Sequence, residues 1–135
     1  MLDTKKKLGK DFYQNLGKLF YAVAMADHSI HVNEIERLKE IVREHWLDVD
    51  EIKDEYGNDA GFQIEHIFNQ LLEYETKADT IYEEFEAFYT DNTALFPDNI
   101  KRLAMSTARA IAAAFAGSNK SELIILGRLE LLFRN

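Results

Sequence analysis

Apolar residues return at intervals of three and four along almost the whole chain, and only one proline, Pro97, interrupts it. That spacing gathers side chains on one face of a helix, whereas a half-buried strand needs strict alternation. The clearest stripe is Ile100, Leu103, Ala104, Thr107, Ala108, Ile111, Ala112 and Phe115, whose alanines let another helix approach closely. Leu8, Phe12, Leu16, Leu19, Phe20 and Val23 form a similar face, and Ile35, Leu38, Ile41 and Val42 a third. The pattern predicts an all-α, single-domain bundle of about seven helices over residues 1–135.

Helices are expected over about 3–27, with Asp3 as N-cap, then 32–46, 62–74, 77–90, 97–115 and 121–133. A short one is expected after Asp48, where Glu51 follows three residues on. Residues 56–61 read as a loop, Asp91-Asn92-Thr93 as a break, and Pro97 as the first turn of the helix it opens. The last helix is apolar nearly all round, which predicts a central position or a buried partner interface. The aromatics Tyr82, Phe85, Phe88 and Tyr89 share a helical face and are expected in the core.

The chain contains no cysteine, so disulfides, thiolate catalysis and Cys-type zinc sites are excluded. Its formal net charge is −8, against the basic surface a duplex-DNA binder carries, so no nucleic-acid partner is expected. The charge is uneven. Residues 48–99 hold fifteen acidic and two basic side chains, while residues 100–135 hold six basic and two acidic. An acidic middle of this kind is either a solvated face or a docking surface for a basic partner or cations. Lys5 to Lys7 followed by small residues near Ala24 imitate a signal peptide, but Lys10, Asp11 and Lys18 break the apolar region. No stretch nears the roughly 18 apolar residues of a transmembrane segment, and a cytoplasmic location is expected.

Shifted by 88 residues, the chain echoes itself: Ala22, Ala24, Ala26, Glu34 and Leu38 meet Ala110, Ala112, Ala114, Glu122 and Leu126. This predicts a pseudo-repeated helical hairpin, 3–46 and 97–134, with the acidic helices of 48–91 completing the bundle.

The informative stretch joins the first two helices. Asp27 falls where the first helix should end, and a carboxylate facing the negative end of the helix dipole is disfavoured by about 0.3–1 kcal/mol. A backbone amide, a basic side chain or a cation would compensate it. Glu34 lies near the start of the next helix, and the reversal could bring the two carboxylates together, a pairing that attracts Ca²⁺ or Mg²⁺. His28 and His31 could add nitrogen ligands for Zn²⁺. The competing explanation is local: His31 and Glu34 are three apart, as in a capping box where the Glu reaches back to a free amide. His45 and His66 have no matching partners in sequence and are read as surface or rim residues.

The run A-x-A-D-x-x-I-x-x-x-E-x-x-x-L, here Ala24, Ala26, Asp27, Ile30, Glu34 and Leu38, resembles the tellurite-resistance TerB-like family. The resemblance implies an all-helical bundle with an internal hairpin repeat and a divalent metal held by Asp27 and Glu34. It implies a role in tellurite or stress resistance, or an adaptor function. It is tight over about fifteen residues. His28 stands where the family has glycine, and Phe115 occupies the register of Asp27 in the second hairpin, leaving Glu122 as the acidic counterpart.

Motifs for catalysis are missing: the sequence has no G-x-S-x-G, no glycine-rich phosphate loop and no H-E-x-x-H. The expectation is a non-enzymatic protein with Asp27, Glu34 and His31 as candidate metal ligands. The alternative is a metal-free interaction module, an adaptor or a homodimer burying Leu131, Leu132 and Phe133, that uses the acidic middle and the apolar last helix. A hydrolytic enzyme would need a cleft holding a perturbed carboxylate or histidine.

Overall fold

The structure, a computed structural model, describes residues 2–26, 32–46, 59–74, 77–115 and 120–134. Among them are six α-helices: α1 (Leu2–Ala24), α2 (Val32–Trp46), α3 (Asp59–Tyr74), α4 (Ala78–Asp91), α5 (Asp98–Phe115) and α6 (Lys120–Arg134). A 3₁₀ turn covers Thr93–Leu95, and no strand occurs among the described residues. The fold is all-helical, as the periodicity predicts. The short helix expected after Asp48 lies outside the described residues.

Helix ends differ from expectation where local chemistry outweighs pattern. Helix α1 starts at Leu2, so Asp3 falls within its first turn rather than capping it. It ends at Ala24, and Met25 and Ala26 close it as a turn, with Met25 N–H donating to Tyr21 O at 2.9 Å. Helix α3 starts at Asp59, which takes Ala60 and Gly61 out of the expected loop. A glycine in the first turn costs little beside the burial of Ile64, Ile67, Phe68 and Leu71 that the helix achieves. Pro97 stands one residue before α5 rather than inside it, and its carbonyl accepts from Ile100 and Lys101 N–H at 2.9 and 3.0 Å. Its missing N–H would be unpaired at this end in any case.

The centre belongs to α1, not to α6. Every side chain from Leu19 to Ala24 is buried, and α1 packs against α3, α4 and α5 and touches α6. Helix α3 comes close to α1 at Gly17, where a Cβ would collide with the Ile67 side chain and sit 3.3 Å from Ile64 O. Helix α6 instead lies at the edge. It buries Ile125 and Leu129 but leaves Ile124 and Leu131 63% and 61% exposed. Of the two positions its composition allowed, the central one is therefore ruled out.

Helix α5 presents Ile100, Ala104, Thr107, Ala108, Ile111 and Ala112 to the interior and receives α1, α2 and α6. The buried Thr107 hydroxyl donates to Leu103 O at 2.8 Å, which satisfies it within its own helix. The expected hairpin repeat is matched unevenly. Ala24 and Ala112 are both buried, as are Ile41 and Leu129, but Ala26 is buried where Ala114 is exposed.

The expected aromatic core is present, with a hub the pattern did not single out. Phe96, just after the 3₁₀ turn, is 2% exposed. It meets Phe12 at 5.2 Å, Tyr89 at 5.0 Å, Phe85 at 6.0 Å and Phe133 at 6.2 Å between ring centroids. The contacts are edge-on or tilted, the favourable arrangements for aromatic rings. The hub joins α1, α4 and α6 through a residue between helices. Asn92 makes the turn possible: its N–H donates to Tyr89 O at 3.1 Å and its side-chain amide to Phe88 O at 2.9 Å, which closes the end of α4.

Candidate functional site

The connection carrying the metal-side residues runs from the end of α1 to the start of α2. Ala26 is 7% exposed, so the chain leaves α1 at the margin of the core with Asp27 next in line. Asp27, His28 and His31, and the side chain of Glu34, lie outside the described residues. Glu34 is the third residue of α2, where the positive end of the helix dipole favours a carboxylate. That position suits a capping Glu and a cation ligand alike. Four residues on, Leu38 is fully buried and anchors α2 to the core. Among the described residues, no group of three or more His, Asp and Glu side chains could hold a metal ion. His45 lies with Nδ1 2.9 Å from Ile41 O, and His66 is exposed, which fits the surface or rim positions expected of both.

The acidic middle is partly neutralised by the chain's own ends. Lys18 of α1 pairs with Glu84 of α4 at 3.0 Å, and Arg128 of α6 pairs with Glu86 at 3.1 Å. The Arg128 guanidinium also lies 4.5 Å from the centre of the Tyr82 ring, a cation–π contact. Burial, and then the adjacent Glu86 carboxylate, hold the Tyr82 phenol well above the ordinary tyrosine range, with Arg128 pulling the other way. Tyr21 is raised by burial alone. Asp79, Glu83 and Asp91 remain exposed on the outer side of α4.

A second feature lies where the start of α5 meets the end of α6, an open groove of about 320 Å³. Its apolar part is Met105 and Phe133, and its rim carries Lys101, Arg102 and Arg134 with Asp98 and Glu130. Lys101 Nζ donates to Phe133 O at 3.0 Å, placing a cation on the otherwise unpaired carbonyls at the negative end of α6. Beside the groove, Arg109 and Glu130 approach to 3.5 Å on the surface. On the outer side of α6 lie Ile124 and Leu131, and a Cβ built on Gly127 between them would meet nothing within 4 Å. This surface can hold an apolar side chain flanked by charges.

The expectation that Leu131, Leu132 and Phe133 serve a partner as one unit divides here. Phe133 meets Tyr89 at 5.3 Å and Phe85 at 6.4 Å in its own core, whereas Leu131 faces outward. The Arg128–Glu86–Tyr82 clasp and the α5–α6 groove had no local signal in the sequence. Their members are up to 46 residues apart, and only the packing of α6 against its neighbours brings them together. No helix among the described residues is long and apolar enough to cross a membrane. No protein-family model matches this chain, and neither the curated proteins nor the solved structures contain a match to it.

Proposed function

We propose that this chain is a non-enzymatic, cytoplasmic, TerB-like protein that binds a divalent cation at the α1–α2 connection and serves tellurite or stress resistance. The observation that carries the reading is where the Ala24–Leu38 motif falls in an all-helical bundle. Helix α1 ends at Ala24, Glu34 stands in the first turn of α2, and Leu38 anchors that helix in the core. The donor chemistry suits the cation: Asp27 and Glu34 offer hard oxygens for Ca²⁺ or Mg²⁺, and His31 adds a nitrogen that Zn²⁺ would accept. A ligand that binds only the folded state raises the melting temperature, so the test is thermal melting across these three metals with and without EDTA. The expected result is a metal-dependent rise that Asp27→Asn abolishes. An unchanged curve at millimolar metal would leave Glu34 as a helix cap and remove the cation.

The exposure of Ile124 and Leu131 favours a second reading, a metal-free interaction module in which α6 and the acidic middle hold a protein partner. A photo-cross-linking residue in place of Leu131 should yield a discrete adduct in cells, and one in place of Glu83 tests the acidic side in the same way. Absence of any adduct at both positions would remove this reading.

A further inference from the structure

We propose that the groove between the start of α5 and the end of α6 binds an acidic peptide segment of a partner protein. One large apolar side chain of the segment sits on Met105 and Phe133, and its carboxylates meet Arg102 and Arg134. The inference rests on the interaction-module reading and gives the partner's chemistry.

Charge complementarity carries it, because two cations of the groove are left over once its other charges are placed. Lys101 is engaged with the Phe133 carbonyl at 3.0 Å. Glu130 lies 3.5 Å from Arg109 beside the groove. Asp98 stands in the first turn of α5, where the positive end of the helix dipole favours its charge. Arg102 and Arg134 are exposed, one on each helix, and neither makes an ion pair among the described residues. A guanidinium presents a planar fork that takes a carboxylate through two parallel hydrogen bonds.

The apolar part is in place before a ligand arrives. Met105 and Phe133 are half-buried, and the Phe133 ring is held by Tyr89 and Phe96 at 5.3 and 6.2 Å between centroids. The groove is open and about 320 Å³ in volume, near the lower bound of about 300 Å³ for sites that engulf a small molecule. A segment laid across it with one side chain inserted suits that shape. The sign of the partner follows from where charge sits in the chain. Residues 100–135 hold six basic and two acidic side chains, against two basic and fifteen acidic in residues 48–99. Exposed charges farther than about 8 Å are largely screened at physiological salt, so the local arginines outweigh the net charge of −8.

The test titrates the ¹⁵N-labelled chain with a synthetic peptide, a phenylalanine flanked on each side by two glutamates. Amide shifts should be confined to the start of α5 and the end of α6, with a Kd of about 0.3 mM that weakens as salt is raised. Serine in place of the peptide's phenylalanine, or lysine in place of its glutamates, should abolish the shifts. Arg102→Gln and Arg134→Gln should each raise Kd about threefold to fivefold, the range for an exposed ion pair. Both variants should melt like the parent chain, which separates lost binding from lost folding. Arg102→Glu should weaken the glutamate peptide further and improve binding of the lysine peptide. No shifts at about 3 mM peptide, tenfold over that Kd, would overturn the proposal. So would equal binding of the serine peptide, insensitivity to salt, or an unchanged Kd in the two glutamine variants. Octanoate shifting the same amides where the peptide does not would overturn the peptide as occupant. A cross-link at Leu131 or Glu83 without peptide binding would overturn this groove while leaving the interaction module standing.

Discussion

The same chemical change, glycine to alanine, should have opposite effects at two helical positions of this protein. In an open helix interior, alanine is preferred to glycine by about 1 kcal/mol, mostly through backbone entropy. At Gly127 a Cβ meets nothing within 4 Å, so the fold should gain about that amount. For a chain of this size such a gain corresponds to roughly 4 °C in melting temperature. At Gly17 the Cβ collides with Ile67 Cγ2 and stands 3.3 Å from Ile64 O. Ile67 is buried and β-branched, so its preferred rotamer in a helix is hard to abandon, and a backbone carbonyl cannot rotate away alone. Helices α1 and α3 must separate, and overpacking of this kind costs about 1–3 kcal/mol. Setting that against the propensity gain, Gly17→Ala should be neutral to destabilising by about 2 kcal/mol. Urea titrations at micromolar protein, read as midpoints at constant m-value, measure both. Gly17→Ala matching the gain at Gly127 would refute the close approach of α1 and α3.

Phe96→Ala should cost about 3–5 kcal/mol, the range for a buried aromatic, because the hub touches rings from three helices; a urea midpoint within about 1 kcal/mol of the parent would deny the hub. Arg128→Met should cost only about 1 kcal/mol, since the ion pair with Glu86 is partly exposed and the stacking on Tyr82 is modest; a double-mutant cycle with Glu86→Gln isolates the pair. Stability should also fall in alkali. The phenols of Tyr21 and Tyr82 are raised in the fold, so their contribution is intact below the ordinary value near 10. Above it the unfolded chain ionises first, and each resisting tyrosine removes up to about 1.4 kcal/mol per pH unit. Tyr82→Phe should flatten the decline between about pH 10 and 11.5 in urea titrations, and an unchanged slope would place that phenol in solvent.

Much of the helical layout was legible because its cause is local. The stripe along α5 needs only the 3.6-residue period, and Ile100, Ala104, Thr107, Ala108, Ile111 and Ala112 are buried as it marks them, with Leu103 half-buried. Asn92 and Pro97 end and start helices through their own backbone chemistry, with errors of a residue or so. The candidate ligands Asp27, His31 and Glu34 rest on local spacing alone, and Asp27, His31 and the side chain of Glu34 lie outside the described residues. The Arg128 clasp and the α5–α6 groove were not legible, because no spacing links residues that meet only through packing.

By itself, then, the sequence determined that this chain is helical, where most of its helices lie and which face of each is apolar. Tertiary structure decided which apolar helix takes the centre. Helices α1 and α6 both carry more apolar surface than one face needs, and periodicity cannot rank them. Only α1 has a glycine that lets α3 come close and an uncharged run from Leu19 to Ala26 that can be enclosed on all sides. Once α1 fills the interior, α6 is left on the rim with Ile124, Gly127 and Leu131 turned outward.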